Sequence, residues 1–138
     1  MKLKLLLVPV LLTSLAFASG QWKSEKVQTV KAVEKGGKLV KEYAAPNKKA
    51  KLVLRDYDEQ GDFVWQRLYL VNGSKVILID AYNEVSKVRW SKDSRAVQFR
   101  AVKATDYNEI SHLDVKYTLG AKAVQYKVVK REKFDGGG

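Results

Sequence analysis

The chain has 138 residues, no cysteine, a single histidine and a formal net charge of +11. That length holds one domain of ordinary size rather than a multidomain enzyme. Without cysteine there is no disulfide, no thiol catalysis and no lipid attached through a thiol, and one histidine excludes a two-histidine zinc site.

In chain order, Lys2 and Lys4 precede the apolar run Leu5 to Leu12, and small residues follow at Ala16 and Ala18. A basic start, an apolar core too short to span a bilayer and an Ala-Phe-Ala site predict a secretory signal peptide over 1–18, cut before Ser19. A periplasmic or secreted location is therefore expected, with no integral membrane segment after cleavage. Residues 19–135 are expected to form one all-β domain, because short β-branched and aromatic runs alternate with turn residues and no window keeps a helical period. The predicted strands begin with Lys26 to Val33 and Lys38 to Tyr43, joined as a hairpin through Lys35-Gly36-Gly37. Leu52 to Tyr57 follows the loop at Pro46. Phe63 to Val71 and Ser74 to Asp80 are joined at Asn72-Gly73, which reads as a type I′ turn. Val85 to Trp90, Arg95 to Lys103, Glu109 to Tyr117 and Lys122 to Lys130 complete about nine strands. Gly136-Gly137-Gly138 reads as a flexible tail.

Short connections make this an antiparallel meander, closed as a sandwich or barrel, with partial propeller-like blades as the alternative. Alternation selects an inner face of Val97, Phe99 and Ala101, then Leu113, Val115 and Tyr117, then Val124, Tyr126 and Val128. Leu68, Leu70, Val76 and Leu78 are expected to continue it, with Trp65 or Tyr69 nearby. Phe63 to Val71 is apolar on both faces, which predicts a central strand.

Of the +11, Lys2 and Lys4 supply +2. Residues 23–51 hold Lys23, Lys26, Lys31, Lys35, Lys38, Lys41, Lys48, Lys49 and Lys51 against three glutamates, a net of +6. Residues 52–110 are neutral overall and 111–138 carry +3. Those nine lysines are the candidate surface for an anionic partner. The competing reading is edge protection, and the absence of arginine from the segment favours it, since phosphate recognition usually recruits the bidentate guanidinium.

A repeat runs through the chain: Leu54-Arg55 returns as Phe99-Arg100, Leu68 as Leu113 and Leu70 as Val115, each 45 residues on, and Gly73 as Gly120 at 47. The stretch Val88 to Phe99, with Trp90-Ser91-Lys92-Asp93-Ser94, resembles the blade opening of the TolB-like propeller family, and the likeness covers about residues 85–128. It implies that Trp90 packs between blades while Ser91 and Asp93 organise a tight turn. Lys92 stands where the family usually has proline, and the earlier repeat has Ala45-Pro46-Asn47-Lys48 in place of the motif. Two blades do not close a propeller, so the resemblance also implies an open sheet or completion by self-association.

Three constellations bear on chemistry. His112 shares a strand face with Ile110, Asp114 and Lys116, opposite the inner set, which reads as a solvent-facing histidine; a hydrolase built on His112 with Glu109 and Arg100 is the least favoured option. Asp56 to Asp62 opens like a calcium loop but has Gln60 at its fifth position and Arg67 at its twelfth, so it reads as an acidic turn. Trp65 to Tyr69 and Arg89-Trp90 mix aromatics with bases, as stacking platforms do and as cores do. Trp22 has no obvious place in the core. The expectation is a non-catalytic binding or assembly protein of the bacterial envelope with no cofactor or metal, whose partner is an envelope protein or, through the Lys-rich segment, an anionic polymer such as nucleic acid, lipopolysaccharide or acidic glycan.

Overall fold

A computed structural model describes residues 21–60, 63–106 and 108–133, so the expected signal segment, the glycine tail and the tip of the expected acidic turn lie outside the described residues. Ten strands are formed: β1 (Lys23–Lys26), β2 (Gln28–Val30), β3 (Lys38–Ala44), β4 (Ala50–Gln60), β5 (Phe63–Asn72), β6 (Lys75–Tyr82), β7 (Glu84–Trp90), β8 (Ala96–Asp106), β9 (Glu109–Thr118) and β10 (Ala123–Lys133). They build two antiparallel sheets, an N-terminal sheet in the order β2-β6-β5-β4-β3 and a C-terminal sheet in the order β1-β10-β9-β8-β7. The sheets are not closed into a barrel.

Each sheet is a four-stranded meander extended by one strand from the N-terminal segment. The repeat in the sequence maps onto this duplication, with β4 and β5 answering β8 and β9. The loops before β4 and β8 have the same backbone bonds. Ala45 N donates to Ala50 O and Ser91 N to Ala96 O, both at 2.8 Å, and Lys48 and Ser94 both sit at φ 63°. Asn47 Oδ1 accepts from Lys49 N at 2.9 Å as Asp93 Oδ1 accepts from Arg95 N at 3.1 Å. The first repeat thus makes the same turn without the Trp-Ser motif, because an asparagine oxygen serves as well as a carboxylate in capping the amide two residues on.

One core lies between the sheets, formed by Leu52, Leu54, Leu68, Leu70 and Ile79 on one side and Val97, Phe99, Ala101, Leu113, Val115, Tyr117 and Val124 on the other. Tyr126 and Val128 are partly buried against it. β5 is the central strand of its sheet, as its two apolar faces require.

Four expectations are corrected. Val76, Leu78 and Tyr69 do not join the inner face; with Val53 they form a second cluster on the outer face of the N-terminal sheet. The run Val76-Ile77-Leu78-Ile79 is apolar throughout, so alternation cannot fix its phase, and the outer face is covered by Val30 and Val33.

The strand expected over Lys26 to Val33 instead breaks at Val27, whose N donates to Lys122 O at 3.0 Å, and its halves join different sheets. Lys35-Gly36-Gly37 therefore joins no hairpin. It closes a strap over β4 and β5, where Arg55 Nη2 donates to Lys35 O (3.2 Å) and Gly37 O (3.0 Å) and Arg67 pairs with Glu34 at 2.5 Å. At Asn72-Gly73, Asn72 pairs with Lys75 and only Gly73 has positive φ (63°), so the two-residue loop is Gly73-Ser74, with the φ pattern of a II′ turn.

Candidate functional site

The outer face of the C-terminal sheet is read directly from its ladders. Ser24 pairs with Gln125, Gln125 with Lys116, Lys116 with Gln98 and Gln98 with Arg89, which makes one row across all five strands. The next row runs from Lys127 through Asp114 and Arg100 to Ser86. These residues face outward because their neighbours Val97, Phe99, Val115, Tyr117 and Val124 fill the core. Trp22, 42% exposed, lies over this face, with Lys116 Nζ 4.3 Å and Lys127 Nζ 5.2 Å from its ring centroid. The contacts are cation–π in type and hold an indole at the surface without burying it. Beside it a shallow depression of about 300 Å³ is bordered by Trp22, Lys87, Arg89, Gln98, Arg100 and Asp114.

A backbone irregularity puts two of these cations there. Val85 is packed against the core, and strict alternation would send Lys87 and Arg89 inward with it. Between Ser86 and Arg89 the pairing with β8 shifts register by one residue, and Lys87 takes φ 53°. This β-bulge reverses the phase, so Val88 and Trp90 pack inward while Lys87 and Arg89 are exposed. A left-handed lysine is an unfavourable backbone state, so the bulge is maintained by the surrounding packing. Lys87, Arg89, Arg100, Lys116 and Lys127 surround Asp114, which pairs with Arg100, and the adjoining part of the face carries Glu84 and the Glu132 bonded to His112.

The nine lysines singled out in the sequence do not form one surface. Lys23 and Lys26 lie on β1 of the C-terminal sheet, Lys31 and Lys35 on the strap, Lys38 and Lys41 on edge strand β3, Lys48 and Lys49 in the loop before β4 and Lys51 on β4. Lys51 is paired with Glu42 at 3.2 Å, and Lys41 lies 5.1 Å from the Tyr43 ring centroid. The residues brought together were in the sequence as the complement of the inner set: where Phe99, Val115 and Tyr126 are inside, Gln98, Arg100, Asp114, Lys116, Gln125 and Lys127 must be outside. Only the bulge that adds Lys87 and Arg89 had no signal.

Ser91 and Asp93 organise the turn before β8. Ser91 Oγ donates to Asp93 Oδ1 at 2.6 Å and accepts from Arg95 N and Ala96 N. The hydroxyl and the Arg95 amide lower the Asp93 pKa. Trp90 Nε1 donates to Tyr43 O at 3.1 Å, tying the end of β7 to the end of β3. His112 faces outward and bonds Glu132, whose carboxyl it holds below the usual range. Asp56 to Gln60 is strand, paired with Phe63 to Gln66, and the Asp56 carboxylate accepts from Gln66 Nε2 at 3.0 Å.

No protein-family model matches the chain, and no curated protein or solved structure matches it either.

Proposed function

We propose that this chain is an exported, non-catalytic binding module that engages an anionic polymer through the outer face of its C-terminal sheet. The observation that carries the reading is the bulge at Lys87, which holds a lysine in a left-handed conformation and delivers Lys87 and Arg89 to the face where Lys116 and Lys127 already flank an exposed indole. Two of the five cations are arginines, whose forked donors suit carboxylate, sulfate or phosphate groups spaced along a chain. Trp22 adds a flat surface for a sugar ring or a base, and an exported location favours the sugar. The two meanders are, in this reading, blade-like repeats that supply flat scaffolds.

The test is the salt dependence of binding to a labelled uronate polysaccharide, with oligo(dT) as the comparison polymer. Replacing Arg89, Arg100, Lys116 and Lys127 with Gln should reduce the log–log salt slope by roughly 3, at about 0.7–0.9 per lost contact. The same change at Lys31, Lys41, Lys48 and Lys49 should leave it nearly unaltered. The opposite ranking would return the site to the Lys-rich segment, and no binding of either polymer at low salt would end the proposal.

A second reading has its own support. Leu39 and Val40 are 47% and 43% exposed on β3, which among the described residues pairs only with β4. A protein partner or a second copy adding a strand there would cover both. Light scattering across a concentration series, with Val40→Lys as the control, distinguishes this from polymer binding.

A further inference from the structure

At one open end of the two sheets lies a cavity of about 280 Å³ that the polymer-binding face does not use. Its origin is a second bulge. The pairing of β5 with β6 shifts between Leu68 and Tyr69, so Leu68 faces Asp80 while Tyr69 faces Leu78, and Ile79 is the extra residue. Past it the strand reverses phase, and Asp80 and Tyr82 line the cavity. The far wall, from the C-terminal sheet, is apolar at Leu113, Val124 and Val128, with Tyr126 beside them.

Tyr82 is 2% exposed, its ring meets Phe99 edge to face at 5.7 Å, and its hydroxyl bonds to no described residue. Among the described residues the one fully buried side-chain polar atom without a partner is Arg55 Nε, so the Tyr82 oxygen is not sealed in. On a cavity-lining residue, it is open to an acceptor held in the cavity. Two pairs of the other polar groups engage each other: Lys103 Nζ is 2.8 Å from Asp80 Oδ2, and Thr105 and Ser111 share a hydroxyl bond at 3.2 Å. Charge on the lining balances, with Lys23, Lys103 and Arg131 against Glu25, Asp80 and Glu109. The lining therefore carries no net charge that would favour an ion of either sign. A cavity of 150 Å³ accommodates benzene, so this one admits a substituted ring.

We propose that this cavity binds a small uncharged ligand with a flat apolar body and one oxygen acceptor, which takes the Tyr82 hydroxyl. The ring lies against Leu113 and Val124 and the acceptor points to β6. This inference is independent of the polymer-binding reading, because it involves neither Trp22 nor the outward cations.

Acetophenone is a suitable probe, with benzoate and benzylammonium as charged analogues of similar size, each titrated against the full chain by amide-resolved NMR. Acetophenone should shift the amides of β6, β9 and β10 around the cavity and bind at least tenfold more tightly than either ion. Tyr82→Phe keeps the ring packing and should weaken acetophenone about fivefold, the worth of one neutral hydrogen bond. Val128→Phe, at a partly buried wall position, should abolish the shifts while the remaining spectrum stays native. Absence of acetophenone binding to the folded chain, preference for either ion, or equal affinity in Tyr82→Phe would each overturn the proposal.

Discussion

Gly37 shows how much one residue can decide. It has φ 84°, and a Cβ there would fall 1.8 Å from Asp56 O, so its conformation and its closeness to β4 both exclude a side chain. Gly37→Ala should destabilise by more than about 1 kcal/mol by denaturant melting, since strain and a backbone clash act together. Tyr82 gives a prediction of opposite character. Burial, with lesser contributions from Asp80 and Glu25, raises its pKa well above the ordinary tyrosine value. A raised folded pKa means that the native state holds the proton more tightly than the unfolded chain. Its stabilising effect is complete below the unfolded pKa of about 10 and is lost as pH rises from there towards the folded value. Stability should therefore decline on the alkaline side, and denaturant titrations between about pH 9 and 11 should show a shallower decline in Tyr82→Phe. A slope unchanged by the substitution would assign the alkaline limb to other tyrosines, of which Tyr43 and Tyr117 are also raised by burial.

Among the elements, β7 and β6 carry the irregularities that make the two surfaces, and both lay beyond reach of pattern reading. Alternation correctly placed Phe99, Leu113 and Val115 inside and His112 outside, because β8 and β9 each have one apolar and one polar face. It failed on β6, where four consecutive aliphatic residues leave both phases equally apolar, and on β7, where a one-residue bulge reverses the phase after Val85. Bulges are set by how the neighbouring strand and the core compete for a side chain, which is tertiary information. The Lys35-Gly36-Gly37 signal was real but reported close approach to β4 instead of a hairpin turn. At Lys87, glycine would relieve the left-handed strain while losing a cation and gaining chain entropy in the unfolded state. Lys87→Gly should leave stability within about 1 kcal/mol of the parent and weaken polyanion binding. Phe99→Ala, in contrast, should remove about 3–5 kcal/mol, whereas His112→Ala should remove under about 1, because its bond to Glu132 is at the surface.

The whole molecule is a duplicated meander whose halves cannot be separated physically. Leu52, Leu54, Leu68 and Leu70 bury against Phe99, Leu113 and Val115 of the other half, and one N-terminal segment gives β1 to one sheet and β2 to the other. The halves are also tied at their matching turns, where Asn47 N donates to the buried Ser94 Oγ at 2.9 Å and Trp90 Nε1 to Tyr43 O. On the opposite side Asn83, between β6 and β7, donates its N to Val102 O at 2.8 Å and its Nδ2 to Val64 O at 3.0 Å. With the apolar burial of each sheet supplied by the other, neither half keeps a core alone, and unfolding should be two-state despite the internal repeat. Leu68→Ala in the first meander and Leu113→Ala in the second should each lower stability by about 2–5 kcal/mol. Each should shift one shared midpoint, with tryptophan fluorescence and far-ultraviolet circular dichroism coincident in both variants. A transition that splits in either variant, with one half melting ahead of the other, would mean that each meander carries enough of its own core to stand alone.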